Sequence, residues 1–357
     1  MDKDIMTESA LSRSIDEKRR LLGPDLTIMG HHYQADSVIR HTDLRGDSLE
    51  LARKVAEVQS RDIVFCGVYF MGESAVLVAR EDQRVYLPEP GAECSMALMA
   101  EAPALEAVMA MLTKGGRTIV PLTYVNSTLA IKSVVGRYGG SVCTSANARV
   151  MLEWAMGQGD AVLFLPDMNL GLNTADQLGI PASDRLVLDG ARDGGLFDPS
   201  AAAEARLLLW PGYCSIHTFF TVEQVRAARD ANPGAKIVVH PECRPEVTGA
   251  VDACGSTSFI IRYASEMPEG GTLVIGTEIN LVRRLAAERK GRITVLPLAE
   301  SACEYMAETT EERLDAVLSA LIANREGGPE SPYRVTVDEA LKAPARAALE
   351  RMLAVCR

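Results

Sequence analysis

The chain has 357 residues, 47% of them apolar, enough to bury several cores in two or three domains. Acidic residues outnumber basic ones 48 to 37, for a formal charge of −11, and aromatics make up only 5%, which argues against the basic, ring-rich surfaces that grip nucleic acid. There is no run of about 18 apolar residues and Met1-Asp2-Lys3-Asp4 lacks a signal peptide's apolar core, so no membrane partner is expected and the cytoplasm is the expected location.

Eight cysteines stand at 66, 94, 143, 214, 243, 254, 303 and 356, none as Cys-x-x-Cys. Zinc ribbons and thioredoxin-like chemistry are therefore disfavoured, and a disulfide framework does not suit a long cytosolic chain. Two readings stay open: small buried hydrophobes, or a metal site assembled from distant loops.

Residues 1 to about 10 read as frayed, and Leu11, Ile15, Lys18 and Leu22 follow helical spacing up to Gly23-Pro24-Asp25. Leu26–Met29 reads as a strand delivering Gly30-His31-His32-Tyr33-Gln34 to its tip. Asp47 with Glu50 predicts an N-capped helix, then strands at Ile63–Gly67 and Arg84–Pro88 lead to Gly91-Ala92-Glu93-Cys94. The middle repeats the theme. A strand at Thr118–Thr123 ends on Tyr124-Val125-Asn126, and Ser141-Val142-Cys143 runs into Thr144-Ser145-Ala146-Asn147. Ala161–Asp167 and Leu207–Pro211 follow, the second reaching Gly212-Tyr213-Cys214. The last third repeats it again, with Lys236–Val239 running into His240-Pro241-Glu242-Cys243, Val251–Cys254 into Gly255-Ser256-Thr257-Ser258, then Leu273–Glu278 and Ile293–Pro297 towards Cys303.

Polar tips at His31, Tyr124 and His240 correspond, as do Leu-Pro strand ends at 87–88, 165–166 and 296–297. Strands alternating with helical segments predict an α/β fold of three similar three-layer units with small parallel sheets, at residues 1–110, 111–222 and 223–357, the last carrying C-terminal helices. One such helix is predicted with Thr309 and Glu312 as capping box, Leu314, Val317, Leu318 and Leu321 as stripe, and Gly327-Gly328-Pro329 as stop. His41 is expected on a solvated face and Lys132 and Arg149 at the surface. Cys66, Cys143, Cys243 and Cys254 are expected to fill space.

Taken together these blocks resemble the quinolinate synthases, iron–sulfur enzymes of NAD biosynthesis. The likeness covers roughly residues 26 to 310 and rests on Gly30–Gln34, Gly46–Leu49, Phe65–Met71, Tyr124–Asn126, Cys143–Asn147, Leu165–Gly171, Trp210–His217, His240–Cys243, Gly255–Ser258 and Gly276–Glu278, in the family's order. The resemblance implies three units around a pseudo-threefold axis and a 4Fe–4S cluster held by Cys94, Cys214 and Cys303, its fourth iron facing the substrate. It implies a dehydrating condensation of iminosuccinate with dihydroxyacetone phosphate to quinolinate, losing phosphate and two waters. Iminosuccinate would come from L-aspartate oxidase or aspartate dehydrogenase. The implied catalytic residues are Tyr33, Glu242 and His217; His31, Ser48, Tyr124, Asn126, Ser145, His240, Glu242, Ser256 and Thr257 bind substrate. Another 4Fe–4S hydro-lyase, or a non-enzymatic cluster-bearing sensor, is the alternative. Three features depart from the family's pattern: His32 in place of a usual tyrosine, Glu93 before the first ligand, and an elaboration at residues 175–205 expected to be superficial.

Overall fold

The computed structural model describes residues 2–191 and 197–356, and the side chains of all of these but 2–9 and 49; the 192–196 part of the predicted elaboration lies outside them. The described residues hold three all-parallel sheets. The first comprises β1 (Leu26–His31), β2 (Leu44–Gly46), β3 (Asp62–Cys66) and β4 (Arg84–Tyr86) in the order β2-β1-β3-β4. The second comprises β5 (Ile119–Tyr124), β6 (Ser141–Cys143), β7 (Ala161–Leu165), β8 (Arg185–Val187) and β9 (Leu207–Leu209), ordered β6-β5-β7-β9-β8. The third comprises β10 (Lys236–Val239), β11 (Ala253–Cys254), β12 (Thr272–Gly276) and β13 (Thr294–Pro297), ordered β11-β10-β12-β13. Setting β8 aside, the three sheets have one topology, so β1, β5 and β10 are equivalent. The expected three similar α/β units are therefore present.

This topology explains the strand sequences. β3, β5 and β7 are buried along their whole length, as parallel strands covered by helices on both faces must be, and they read as continuous apolar runs instead of alternating ones. It also corrects one correspondence. Leu165-Pro166 follows β7, the counterpart of β3 and β12, whereas β4 and β13 have β9 as their counterpart. The proline matching Pro88 and Pro297 is thus Pro211. The elaboration is not wholly superficial either, since it supplies the half-buried edge strand β8 to the second sheet.

By compactness the chain divides into two units, Met1–Cys94 with Ala302–Val337, and Ser95–Ser301 with Asp338–Arg357. In the first, the helices Asp2–Leu22 and Glu311–Arg325 close over the first sheet, burying Ile15, Ile28, Val64, Leu314, Val317, Leu318 and Leu321 in one core. The first helix begins earlier than its apolar spacing suggested. The cap of the second is Thr310, whose hydroxyl accepts from the Arg313 N–H, so the predicted box is displaced by one residue and lacks its glutamate. Asp47 and Glu50 do form the reciprocal box, each side chain accepting from the other's backbone N–H. His41 is corrected: it is 2% exposed, with Nε2 2.7 Å from the Glu311 carboxylate. No described helix is long and apolar enough to cross a membrane.

In the second unit the helix Glu339–Val355 packs on the helix Leu129–Arg137, and Gly136 sets their approach. A Cβ there would stand 1.9 Å from the Pro344 carbonyl oxygen. Gly136→Ala must push the last helix away, and should cost about 1–3 kcal/mol of stability, measured as a lower denaturant midpoint. An unchanged midpoint would mean the two helices are not held in contact.

Candidate active site

In parallel sheets all strands point the same way, so their C-terminal ends gather at one edge, where ligands bind. The second and third sheets meet that expectation around Glu242. Its Oε1 accepts a 2.5 Å hydrogen bond from the Tyr124 hydroxyl at the end of β5, and its Oε2 lies 2.8 Å from His217 Nδ1. His217 Nε2 lies 3.1 Å from the Thr277 hydroxyl just past β12, and the ring stacks on His240 with centroids 4.4 Å apart. All five side chains are buried, with Glu242 3% exposed. Burial alone would raise the Glu242 carboxyl, but His217, His240 and the bonds from His217 and Tyr124 outweigh it and hold the group well below the usual carboxylate range. Burial, and then the charge of His217, lower His240 to about 3 against the pull of Glu242, so its ring is neutral.

The histidine tips share a local device. The Glu242 N–H donates to His240 Nδ1 at 3.4 Å, and in the first unit the Tyr33 N–H donates to His31 Nδ1 at 3.2 Å. An Nδ1 that accepts leaves the proton on Nε2 in the neutral ring, so each histidine presents a donor at its far end. Tyr33 is half-buried and stands edge-on to His31 at 4.8 Å. His32 reaches within 3.9 Å of Glu50, whose carboxyl it lowers.

The remaining predicted residues occupy equivalent places after β2, β6 and β11. Ser48 is the first residue of the helix Ser48–Glu57, and Ser145 stands two residues before Asn147, the N-cap of the helix Ala148–Met156. Ser256 caps the helix Thr257–Glu266, accepting from the Phe259 N–H at 3.3 Å. Backbone N–H groups at these starts suit carboxylates and phosphates. Asn126 follows β5, half-buried, on a turn anchored by Lys132. Lys132 is corrected from a surface residue: it is fully buried, and its ammonium donates to the Val125 carbonyl at 2.8 Å and to that of Ser127.

Cys94, Cys214 and Cys303 are each half-buried and each follow a strand end marked by Pro88, Pro211 or Pro297. Cys214 and Cys303 each N-cap a short helix. The turn before Cys214 needs Gly212, whose N–H bonds the Pro166 carbonyl and whose Cβ would stand 2.5 Å from that oxygen. Cys94 and Cys303 belong to the same unit, and both add to the burial and the Glu304 charge that raise the Tyr305 phenol, so both thiols lie within electrostatic reach of one ring. Donor atoms of Cys214, His217 and Glu242 lie within 4.8 Å of one another. His217 and Glu242 are bonded to each other, so the thiol is the remaining donor atom of that group. By contrast Cys66, Cys143 and Cys243 are fully buried, and burial pushes Cys66 and Cys254 up to about 12 and the other two well above the usual thiol value. Such thiols stay protonated; Cys66, Cys143 and Cys243 are wholly buried, whereas Cys254 is half-buried. Partly open thiols at strand tips fit thiolate ligation of an iron–sulfur cluster.

Sequence reasoning missed three supports. Thr277 lay inside a quoted block without a role. Asp167 caps the helix Met168–Leu178 through Oδ1, while Oδ2 is buried without a partner among the described residues. Burial and the charge of Glu242 push its carboxyl well above the usual range. Asn173, on the same helix, donates through Nδ2 to the carbonyls of Pro241 and Cys243, both at 2.7 Å, fixing the segment that carries Glu242. No spacing rule points to Asn173.

The family described as Quinolinate synthetase A protein matches residues 14–354. Among curated relatives, a quinolinate synthase of Corynebacterium glutamicum is 42% identical over 353 residues, 98% of this chain and 88% of its own. One of Acidobacterium capsulatum is 41% identical, covering 98% and 94%, and one of Anoxybacillus flavithermus is 41% identical, covering 98% and 97%.

Two outcomes follow from this geometry. Tyr124→Phe leaves a buried carboxylate oxygen without its donor and should cost about 1–3 kcal/mol in denaturant unfolding; coupling to Glu242→Gln in a double-mutant cycle checks that the loss belongs to this bond. The unfolded chain protonates His240 near its ordinary value of 6.5, the folded chain only near 3. The unfolded state therefore binds more protons in that window, so stability falls as pH drops from 6.5 towards 5. His240→Gln should flatten that slope in urea titrations, and an equally steep slope would show that the ring is not held neutral.

Proposed function

This chain belongs to the quinolinate synthase family, and on that premise we propose that it condenses iminosuccinate with dihydroxyacetone phosphate in the cytoplasm, releasing phosphate and two waters. The observation that carries this reading is the buried chain Tyr124–Glu242–His217–Thr277 beside the Cys214 thiol. Iminosuccinate is supplied by L-aspartate oxidase or aspartate dehydrogenase.

In this reading Cys94, Cys214 and Cys303 hold a 4Fe–4S cluster, which when bound supplies a Lewis-acidic iron that eases departure of hydroxyl. The protein's own groups do the rest. Glu242, kept ionised, is a base whose strength is restrained while Tyr124 and His217 both bond it. A substrate that draws the Tyr124 hydroxyl away frees Oε1 to take a proton, and His217 returns one from the other side. Tyr33 transfers protons at the first unit's tip, and His31 and His240 orient the substrate through Nε2–H. Ser48, Ser145, Ser256, Thr257 and Asn126 hold its carboxylates and phosphate with hydroxyl, amide and helix N-terminal donors.

The test is anaerobic: iron and sulfide content, then quinolinate formed from the two substrates. Glu242→Gln should keep the cluster and lose turnover by about 10²–10⁴-fold; loss of iron instead would make Glu242 structural. Serine at 94, 214 or 303 should lower iron and sulfide sharply, whereas serine at 66, 143, 243, 254 or 356 should not. A cluster intact in Cys214→Ser would show that the ligands are misassigned.

A further inference from the structure

Cys94 and Cys303 come from distant parts of the chain into one unit, and neither sits on a rigid element. Cys94 ends a loop, residues 89–94, that holds no helix or strand, and Cys303 caps the four-residue helix Glu304–Ala307. Loops and single turns are the mobile parts of a fold, so two thiols that act on one group need a fixed point nearby.

The helix Glu311–Arg325 provides one. Leu314, Val317, Leu318 and Leu321 seat it in the core, and its first residue, Glu311, is pinned by the buried His41 ring at 2.7 Å. Arg313, two residues on, reaches both cysteine segments with a single nitrogen. Its Nη1 donates to the Glu308 carbonyl at 2.9 Å, just past the helix that Cys303 caps, and also bonds Glu89 Oε2. Glu89 in turn folds the Cys94 loop around itself. Its Oε1 accepts from the Gly91 N–H at 2.8 Å, and its carbonyl accepts from the Ala92 N–H at 3.2 Å. The fit is close, since a Cβ at Gly91 would stand 2.9 Å from Oε1. Ala92 is fully buried and its carbonyl accepts from the Tyr69 N–H at 2.8 Å, so Cys94 stands two residues beyond a fixed peptide. Both carboxylate oxygens of Glu89 are therefore engaged, one by its own loop and one by the helix that follows Cys303.

We propose that Arg313 and Glu89 form a clamp that sets the distance between the Cys94 and Cys303 thiols, and are thereby positioning residues for the cluster assigned to those thiols. An ion pair this exposed, 42% for Arg313 and 24% for Glu89, adds little to overall stability. Its effect is geometric, because it ties two short segments to one rigid helix. The clamp is a feature of the chain itself; only its purpose rests on the proposed cluster.

The test uses the full chain in two forms. In the first, cluster-free and carrying Cys214→Ser, dibromobimane links thiols that stand close together, and peptide mapping reads the Cys94–Cys303 link. Arg313→Ala and Glu89→Gln should each slow that link about fivefold, the fold-change expected of one partly exposed charged bond. The double variant should be no slower than the slower single one, because both remove the same bond, and Arg313→Lys should recover most of the rate. In the second form, loaded with iron and sulfide anaerobically, Arg313→Ala and Glu89→Gln should release iron to a chelator about fivefold faster, with little change in melting temperature. Lys18→Ala removes the same helix's ion pair at Asp315, 2.6 Å long, and is the control that should move neither rate. Slower linking with faster iron release supports the clamp and its purpose. Slower linking in a chain that takes up no iron supports the clamp and overturns the cluster reading instead. An unchanged linking rate in Arg313→Ala and Glu89→Gln, or an equal effect from Lys18→Ala, would overturn the clamp. Slower linking with unchanged iron release would overturn its purpose.

Discussion

A carboxylate with 3% exposure is tolerable only if its neighbours replace the water it has lost, and Glu242 organises the second unit on those terms. Tyr124 and His217 each give it a short bond, and His217 is in turn held by Thr277 and by stacking on His240. Asn173 fixes the backbone on either side of it. These groups come from the ends of β5, β10 and β12 and from the turn after β9, so two sheets must be correctly placed before one charge is satisfied. Asp167, nearby and equally dry, cannot ionise alongside it, and the pair divides into one carboxylate held low and one carboxyl held high.

The same sheet plan used three times explains why the chemistry recurs at fixed places. Strands equivalent to β1 end in a ring bearing a donor, those equivalent to β2 run into a serine near a helix start, and those equivalent to β4 lead past a proline to a half-buried cysteine. Parallel strands cannot be joined by tight hairpins, so each needs a crossover helix, and each crossover creates a helix N-terminus at the same edge. Anion donors are thus a by-product of the topology. In an acidic chain, backbone N–H groups at these helix starts are local donors that suit anions.

Much of this was legible in the chain itself. Apolar runs bounded by glycine and proline located the strands, and the recurrence of His31, Tyr124 and His240 disclosed a repeated unit before any contact was known. The family blocks named nearly every polar group that the structure puts at a strand end. Where the reading slipped, local pattern was too weak to settle the matter. His41 and Lys132 looked solvated because charge-capable residues usually are, and both are buried on partners that sequence does not reveal: Glu311 far along the chain for one, two backbone carbonyls of its own turn for the other. Leu165-Pro166 was matched to the wrong strand because a dipeptide carries no information about sheet order.

Sequence alone therefore determined the parallel α/β class, the repeat and the chemical vocabulary of the site, because periodicity, turn residues and short motifs are local properties of the chain. Tertiary structure decided which of those groups are charged, which are neutral and which merely pack. Asn173 reaches Pro241 and Cys243, His217 reaches Thr277, and Cys243 is dry while Cys214 is half-open, none of which follows from spacing. Protonation and reactivity depend on burial and on neighbours brought from distant segments, and only the packed sheets fix these.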